Sequence, residues 1–198
     1  MKCDLIIAGV GGQGIISIAA VLAQAAIDAR LYVKQSEIHG MAQRGGAVHS
    51  HLRLSSNPIA SDIIPLKSAD MILSVEPMEA LRYLPYLSRE GWAIANATPF
   101  ENIGNYPSMD TIRAAYDALP RHILFDADAL AKELGSPRSM NMAMLGAASH
   151  FVEMPPEALA KAIHARFISK GERIAELNVT IFHAGREVAK KATEKSMA

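Results

Sequence analysis

The stretch Leu5-Ile6-Ile7-Ala8-Gly9-Val10-Gly11-Gly12-Gln13-Gly14-Ile15-Ile16 changes character twice. Apolar residues run unbroken from Leu5, as in a strand buried on both faces of a parallel sheet. Glycines then fall at Gly9, Gly11, Gly12 and Gly14, and a helical pattern resumes through Ile15, Ile18, Ala19 and Leu22. The sequence therefore predicts a strand, a tight turn and a helix N-terminus. Glycine permits positive φ and lets the backbone approach a ligand with no Cβ in the way. The first-turn amides of a helix lack internal acceptors and carry the positive end of its dipole, so they attract anions. Two readings follow. Gly9, Gly11, Gly12, Gln13 and Gly14 form an anion or cofactor contact, or the glycines serve only close packing between strand and helix.

Composition narrows the surroundings of this turn. Half of the 198 residues are apolar and 20% are charged, which favours a folded chain over a disordered one. A single domain over residues 1–198 is expected. Lys+Arg 20 balance Asp+Glu 20, removing any whole-chain argument for nucleic acid or an anionic membrane as partner. No apolar run approaches the ~20 residues of a membrane span. A strand begins within the first few residues, leaving no room for a signal peptide. Cys3 is the one cysteine, so no internal disulfide and no iron–sulfur cluster is expected, and the usage points to the cytoplasm.

After a first helix over Ile15 to Ala29, Leu31 to Gln35 reads as a second strand, completing a βαβ unit with a right-handed crossover. In a nicotinamide-binding version an acid near the end of that strand would hold the ribose hydroxyls, and Glu37 stands in that place. Ser36 to Gly46 then mixes Glu37, His39, Gln43 and Arg44 with Gly40, Gly45 and Gly46 and has no apolar period. This composition suits a loop at the carboxyl edge of the sheet that faces a ligand or partner subunit, or a solvated connection. Ala47 to Leu54 alternates as a strand, and Ile59 to Ile64 reads as its hairpin partner, which would make the sheet mixed. His49 and His51 share a strand face as metal ligands sometimes do, but no third ligand stands nearby and no metal site is assigned.

Further strands are expected at Asp70 to Val75, Gly91 to Asn96 and His122 to Phe125, with helices from Pro77 to Leu87, Met109 to Leu119 and Asp126 to Leu134. Glu76 ends its strand where open α/β sheets place ligands, and a carboxylate is equally favoured there by the helix that follows. Asn96 and Thr98 end at the same edge. Met140, Ala143, Met144, Ala147 and Ala148 form one helical stripe, read as core. A helix starting at Pro155-Pro156-Glu157 and a final one from Glu172 to Lys191 close the chain. The fold class is a three-layer α/β/α arrangement with a mixed, mostly parallel sheet, a Rossmann-like start and a helical C-terminal part.

No nucleophile elbow, Walker lysine, zinc signature or paired-cysteine motif is present. His39 could pair with Glu37, and an imidazole suits proton transfer near neutrality. Arg44 has the guanidinium to fork onto a phosphate or carboxylate, with Gln13 and Gln43 as neutral contacts. An anion-receptive turn without complete catalytic apparatus suggests a subunit of a larger enzyme.

Gly9-Val10-Gly11-Gly12-Gln13-Gly14, then Glu37-x-His39-Gly40-Met41-Ala42-Gln43-Arg44-Gly45-Gly46 and Ser50-His51-x-Arg53, resemble the gamma subunit or domain of 2-oxoacid:ferredoxin oxidoreductases. The wording from His39 to Gly46 is similar to the branch of the indolepyruvate ferredoxin oxidoreductase beta subunit. Glu76-Pro77-x-Glu79-Ala80-Leu81-Arg82, Asn141-Met142-x-x-Leu145-Gly146 and Glu176-Leu177-Asn178 extend the resemblance over nearly the whole chain. The resemblance implies a share in an enzyme in which thiamine diphosphate attacks a 2-oxo acid and carbon dioxide leaves. Electrons then pass through iron–sulfur clusters to ferredoxin, and coenzyme A takes the acyl group. It implies that those cofactors sit in the complex, mainly on a catalytic partner subunit, and that Gly11 to Gly14 and His39 to Gly46 line the junction with it. His39 would be a catalytic contact; Gly9, Gly11, Gly12, Gln13, Gly14, Gln43, Arg44, Gly45 and Gly46 would touch cofactor or partner. Two other functions fit the same residues: a stand-alone oxidoreductase binding a nicotinamide or flavin nucleotide, and a non-catalytic scaffold or regulatory subunit.

Overall fold

The computed structural model describes residues 1–39, 45–101 and 103–196. Strands β1 (Lys2–Val10), β2 (Tyr32–His39), β3 (Ala47–Ser55), β4 (Ala69–Ser74), β5 (Leu87–Asn96) and β6 (His122–Phe125) form one sheet in the order β2-β3-β1-β4-β5-β6. β1, β4, β5 and β6 run parallel, and β3 is antiparallel to both β1 and β2. The described helices are α1 (Ile15–Asp28), α2 (Pro77–Arg82), α3 (Met109–Asp117), α4 (Ala127–Glu133), α5 (Met140–Ser149), α6 (Pro156–Phe167) and α7 (Glu172–Ser196).

The strand pleat divides the core by residue parity. Leu5, Ile7, Met71, Leu73 and Ile94 pack beneath α1 and α4 to α7, while Ile6, Ile72, Ala93 and Ala95 meet α2 and α3 on the opposite face. The result is the expected three-layer α/β fold, with a thick helical layer on one side and a thin one on the other. No helix among the described residues is long and apolar enough to cross a membrane.

Four expectations need correction. Ser36 to His39, read as the start of a loop, extend β2 instead, because β3 gives each of them a ladder partner; β1, α1 and β2 form the βαβ unit as read, with β3 inserted between its strands. Ile59 to Ile64 forms no strand. Both edges of β3 are already occupied by β1 and β2, and side chains hold the segment instead. Arg53 Nη1 donates to the carbonyls of Ser61 at 3.1 Å and Ile63 at 3.2 Å, and the Ile64 amide donates to His51 Nδ1 at 3.1 Å. α2 stops at Arg82 rather than Leu87, because Pro85 lacks a helical donor and biases the preceding residue away from helix; a 3-10 turn over Leu84–Tyr86 leads into β5. Finally, α5 is buried on every side and not along one stripe. Its Gly146 lies against α7 so closely that a Cβ would meet the Phe182 carbonyl oxygen at 1.9 Å; one on Gly185 would meet that of Ala143 at 2.0 Å.

Candidate functional site

The turn after β1 is built as the sequence suggests. Gly14 caps α1 with φ 89°, a left-handed conformation that favours glycine, and its carbonyl accepts from the amides of Ser17 at 3.0 Å and Ile18 at 3.3 Å. The amides of Gly12, Gly14, Ile15 and Ile16 have no acceptor among the described residues. Gln13 turns inward: its Oε1 accepts from the Val10 amide at 2.7 Å, so its carbonyl end closes the strand rather than facing the open amides.

Gly45 and Gly46, just before β3, are tied to this turn. The Gly11 amide donates to the Gly46 carbonyl at 2.9 Å, and the Gly45 amide approaches the Gly11 carbonyl at 3.5 Å. The register explains why, since Val10 pairs with Ala47 and Val48 with His39, which brings the glycine turn, His39 and Gly46 to one edge of the sheet. Gln43 and Arg44, together with residues 40–42, lie outside the described residues.

A cleft of about 730 Å³ opens at this edge. Its described lining runs from Val10 through Gly11, Gly12 and Gly14 to Ile15, Ile16 and Ser17, with His39, Val48 and Arg166. His39 Nε2 lies 3.2 Å from Glu37 Oε2, and Gln35 Nε2 donates to the other Glu37 oxygen at 2.6 Å. The three side chains point to the same strand face, so Glu37 orients the imidazole at the cleft mouth. Arg166, from α6, reaches Ser17 Oγ at 3.4 Å and has no carboxylate partner among the described residues. Nothing in α6 had marked Arg166 as more than a solvated residue, because the α1–α6 packing that brings it to the turn joins positions 149 residues apart. Together the open amides and the guanidinium make a cleft suited to a phosphate or carboxylate, with an imidazole at its mouth.

Other polar residues singled out in the sequence have structural duties. His49 Nδ1 lies 2.9 Å from the Tyr83 hydroxyl and His51 Nδ1 accepts from the Ile64 amide, so both rings hold neighbouring segments to β3. Burial pushes the His49 imidazole down to about 4, with the neighbouring His51 adding to the shift. Glu76 caps α2, its Oε2 accepting from the Glu79 amide at 2.8 Å, while Oε1 accepts from the Tyr106 hydroxyl. Asn96 accepts from the Ala127 amide at 3.0 Å and donates to Asp128 at 2.7 Å, and Thr98 donates to Asp126 at 3.0 Å. Glu37 is displaced from the position a nicotinamide-binding site requires. With strands about 4.8 Å apart, the intervening β3 sets β2 roughly 10 Å from β1.

Comparison with known proteins gives a consistent picture. Residues 4–188 match the family described as pyruvate ferredoxin/flavodoxin oxidoreductase. The indolepyruvate oxidoreductase subunit IorB of Methanothermobacter thermautotrophicus is 35% identical over 192 residues, spanning 93% of this chain and 96% of its own. The 2-oxoglutarate:ferredoxin oxidoreductase of Magnetococcus marinus, solved with 2-oxoglutarate, coenzyme A and succinyl-CoA bound, superposes with a TM-score of 0.76 at 23% identity. That match covers 96% of this chain but 31% of the longer one. The gamma subunit of the keto/oxoacid ferredoxin oxidoreductase of Geobacter sulfurreducens superposes with a TM-score of 0.71 at 24% identity, covering 96% of this chain and 99% of that one. The same fold thus stands as a whole chain in one structure and as about a third of a chain in the other.

Proposed function

Because this chain belongs to the pyruvate ferredoxin/flavodoxin oxidoreductase family, we propose that it is the non-cluster subunit of a thiamine diphosphate-dependent 2-oxoacid:ferredoxin oxidoreductase. Its substrate would be indolepyruvate or a related aryl pyruvate, in keeping with its similarity to IorB, and its product an acyl-CoA. The observation that carries the reading is the cleft at the carboxyl edge of β1, where Arg166, His39 and amides without an acceptor among the described residues come together.

The residues present do not fit the redox groups of such an enzyme. The lone cysteine, Cys3, is buried, and burial pushes its thiol up to about 12, far from the thiolate a cluster needs. Among the described residues no three His, Cys, Asp or Glu side chains are grouped to hold the metal ion that accompanies a diphosphate. Clusters, thiamine diphosphate and the route to ferredoxin therefore belong to a catalytic partner subunit in this reading. The contribution of this chain is to bind and orient. Arg166 and the amides of Gly12, Gly14, Ile15 and Ile16 receive an anionic group, a coenzyme phosphate or the carboxylate of the 2-oxo acid. His39, held by Glu37, donates a hydrogen bond at the mouth or moves a proton there.

The test is to produce the chain alone and with its thiamine-dependent partner, then measure 2-oxo acid-dependent reduction of a viologen dye in the presence of coenzyme A. Activity confined to the pair, on aryl 2-oxo acids above pyruvate, is the expected result. A partner fully active by itself, with no complex on gel filtration, overturns the reading and leaves a separate role for this chain.

A further inference from the structure

The proposed function makes no use of Asn141, although Asn141-Met142 opens one of the stretches that carry the family resemblance. The structure brings this side chain, 127 residues away in sequence, onto the glycine turn: Asn141 Nδ2 donates to the Gly14 carbonyl at 3.3 Å. That oxygen also accepts from Ser17 and Ile18, so it joins the side chain to the first turn of α1. The fit is close. A Cβ on Gly14 would lie 2.4 Å from Asn141 Nδ2, which adds a steric reason for glycine to the one given by its positive φ.

We infer that Asn141 is a positioning residue for the cleft, clamping Gly14 so that the open amides of the first turn of α1 are held in one geometry. The clamp is effective because its base is rigid. Asn141 lies in the first turn of α5, a helix buried along its whole length and seated on α7 at Gly146 with no room for a side chain between the backbones. The other end of α5 is tied as well, since Arg186 Nη1 donates to the hydroxyl of Ser149 at 3.1 Å. Gln13 and Gly46 hold the strand side of the turn, at Val10 and Gly11, and Asn141 holds its helix side at Gly14; an anion bound by backbone donors loses affinity when those donors must first be ordered. The inference rests on the reading that the cleft binds an anionic group, and its test separates the two.

Two measurements on Asn141→Ala and on the near-isosteric Asn141→Leu decide it. In the chain alone, hydrogen exchange at the Ser17 and Ile18 amides should quicken about fivefold, the effect of losing one ordinary hydrogen bond, while α5 and α7 keep their protection. In the assembled complex, KM for the anionic coenzyme or 2-oxo acid should rise by a similar factor with kcat within about twofold. Unchanged exchange at Ser17 and Ile18 overturns the inference. So does exchange that quickens throughout α5 and α7, or misfolding of both variants, either of which would make Asn141 a core residue only. If the wild-type complex proves inactive, the proposed function fails on its own account and the exchange data still decide whether Asn141 clamps the turn.

Discussion

In the proposed reading Arg166 supplies the charge of the cleft, because its guanidinium lines it beside the first amides of α1 and, among the described residues, is hydrogen-bonded to the Ser17 hydroxyl and to no carboxylate. Arg166→Ala should raise KM for the anionic ligand roughly tenfold or more, the range for a lost hydrogen bond to a charged group, and leave the melting temperature nearly unchanged because the side chain is exposed. Steady-state kinetics of the complex beside a thermal melt of the variant check both halves; a collapsed melt with unchanged KM would make the residue structural. His49 gives a prediction in pH. Its imidazole is neutral in the fold with a pKa near 4, against an ordinary value of 6.5, so between these values the unfolded chain binds the extra proton. Stability from this group is present in full above about pH 6.5 and is lost as pH falls towards 4. Urea midpoints at pH 7, 5.5 and 4.5 should fall in that order, and His49→Gln should flatten the series. Burial alone would raise the Asp4 carboxyl, but Arg53 at 2.8 Å and Lys2 hold it below its ordinary value, so Asp4 adds its own loss only at lower pH. At this scale the sequence showed the glycine turn, His39 and Glu37 as a group, because they lie on consecutive elements. Arg166 and Asn141 reach the turn through helix packing between distant segments, which no local spacing displays.

The α5–α7 crossing is the element-level feature on which the cleft depends. Gly146→Ala would place a methyl 1.9 Å from the Phe182 carbonyl oxygen, with backbone on both sides and no side chain free to yield. Separating the helices should cost about 1–3 kcal/mol or more, read as a fall of several degrees in melting temperature, and should loosen the turn through Asn141 as well. A variant as stable as the parent would mean that the crossing is not tightly held. The C-terminus of α1 offers the opposite change. Arg30 takes the left-handed position after the helix with φ 59°, and the Leu31 amide closes onto Ala26 at 2.9 Å. Glycine prefers that conformation, so Arg30→Gly should stabilise the chain by up to about 1 kcal/mol in a thermal or urea titration. Most element positions were legible in the sequence because the strands read as short apolar runs and several helices carry clear start signals, such as Pro77 after Glu76. The placement of β3 was not. Alternation marks a strand but does not name its neighbours, and the pairing of β3 between β1 and β2 is decided by long-range register.

That pairing also bears on the function of the whole molecule. In the dinucleotide arrangement read from the sequence, an acid on the strand next to the glycine turn holds the NAD ribose; here that neighbour is antiparallel β3, while Glu37 stands one strand further out and lies against His39. The stand-alone nucleotide reading therefore loses its ribose contact, although the glycine spacing that suggested it is intact. A ligand at a hundred times its Kd stabilises a protein by about 2.7 kcal/mol, enough to move the melting temperature by several degrees for a chain of this size. Millimolar NAD, NADP or flavin nucleotide should leave the melt of the isolated chain where it was. Adding the catalytic partner subunit should raise it, because in the proposed assembly the cleft edge at His39 and Gly46 is then covered. A dinucleotide that shifts the melt while the partner does not would reverse the assignment. In that case the amides after β1 would hold a pyrophosphate, and an acid other than Glu37 would have to hold the ribose.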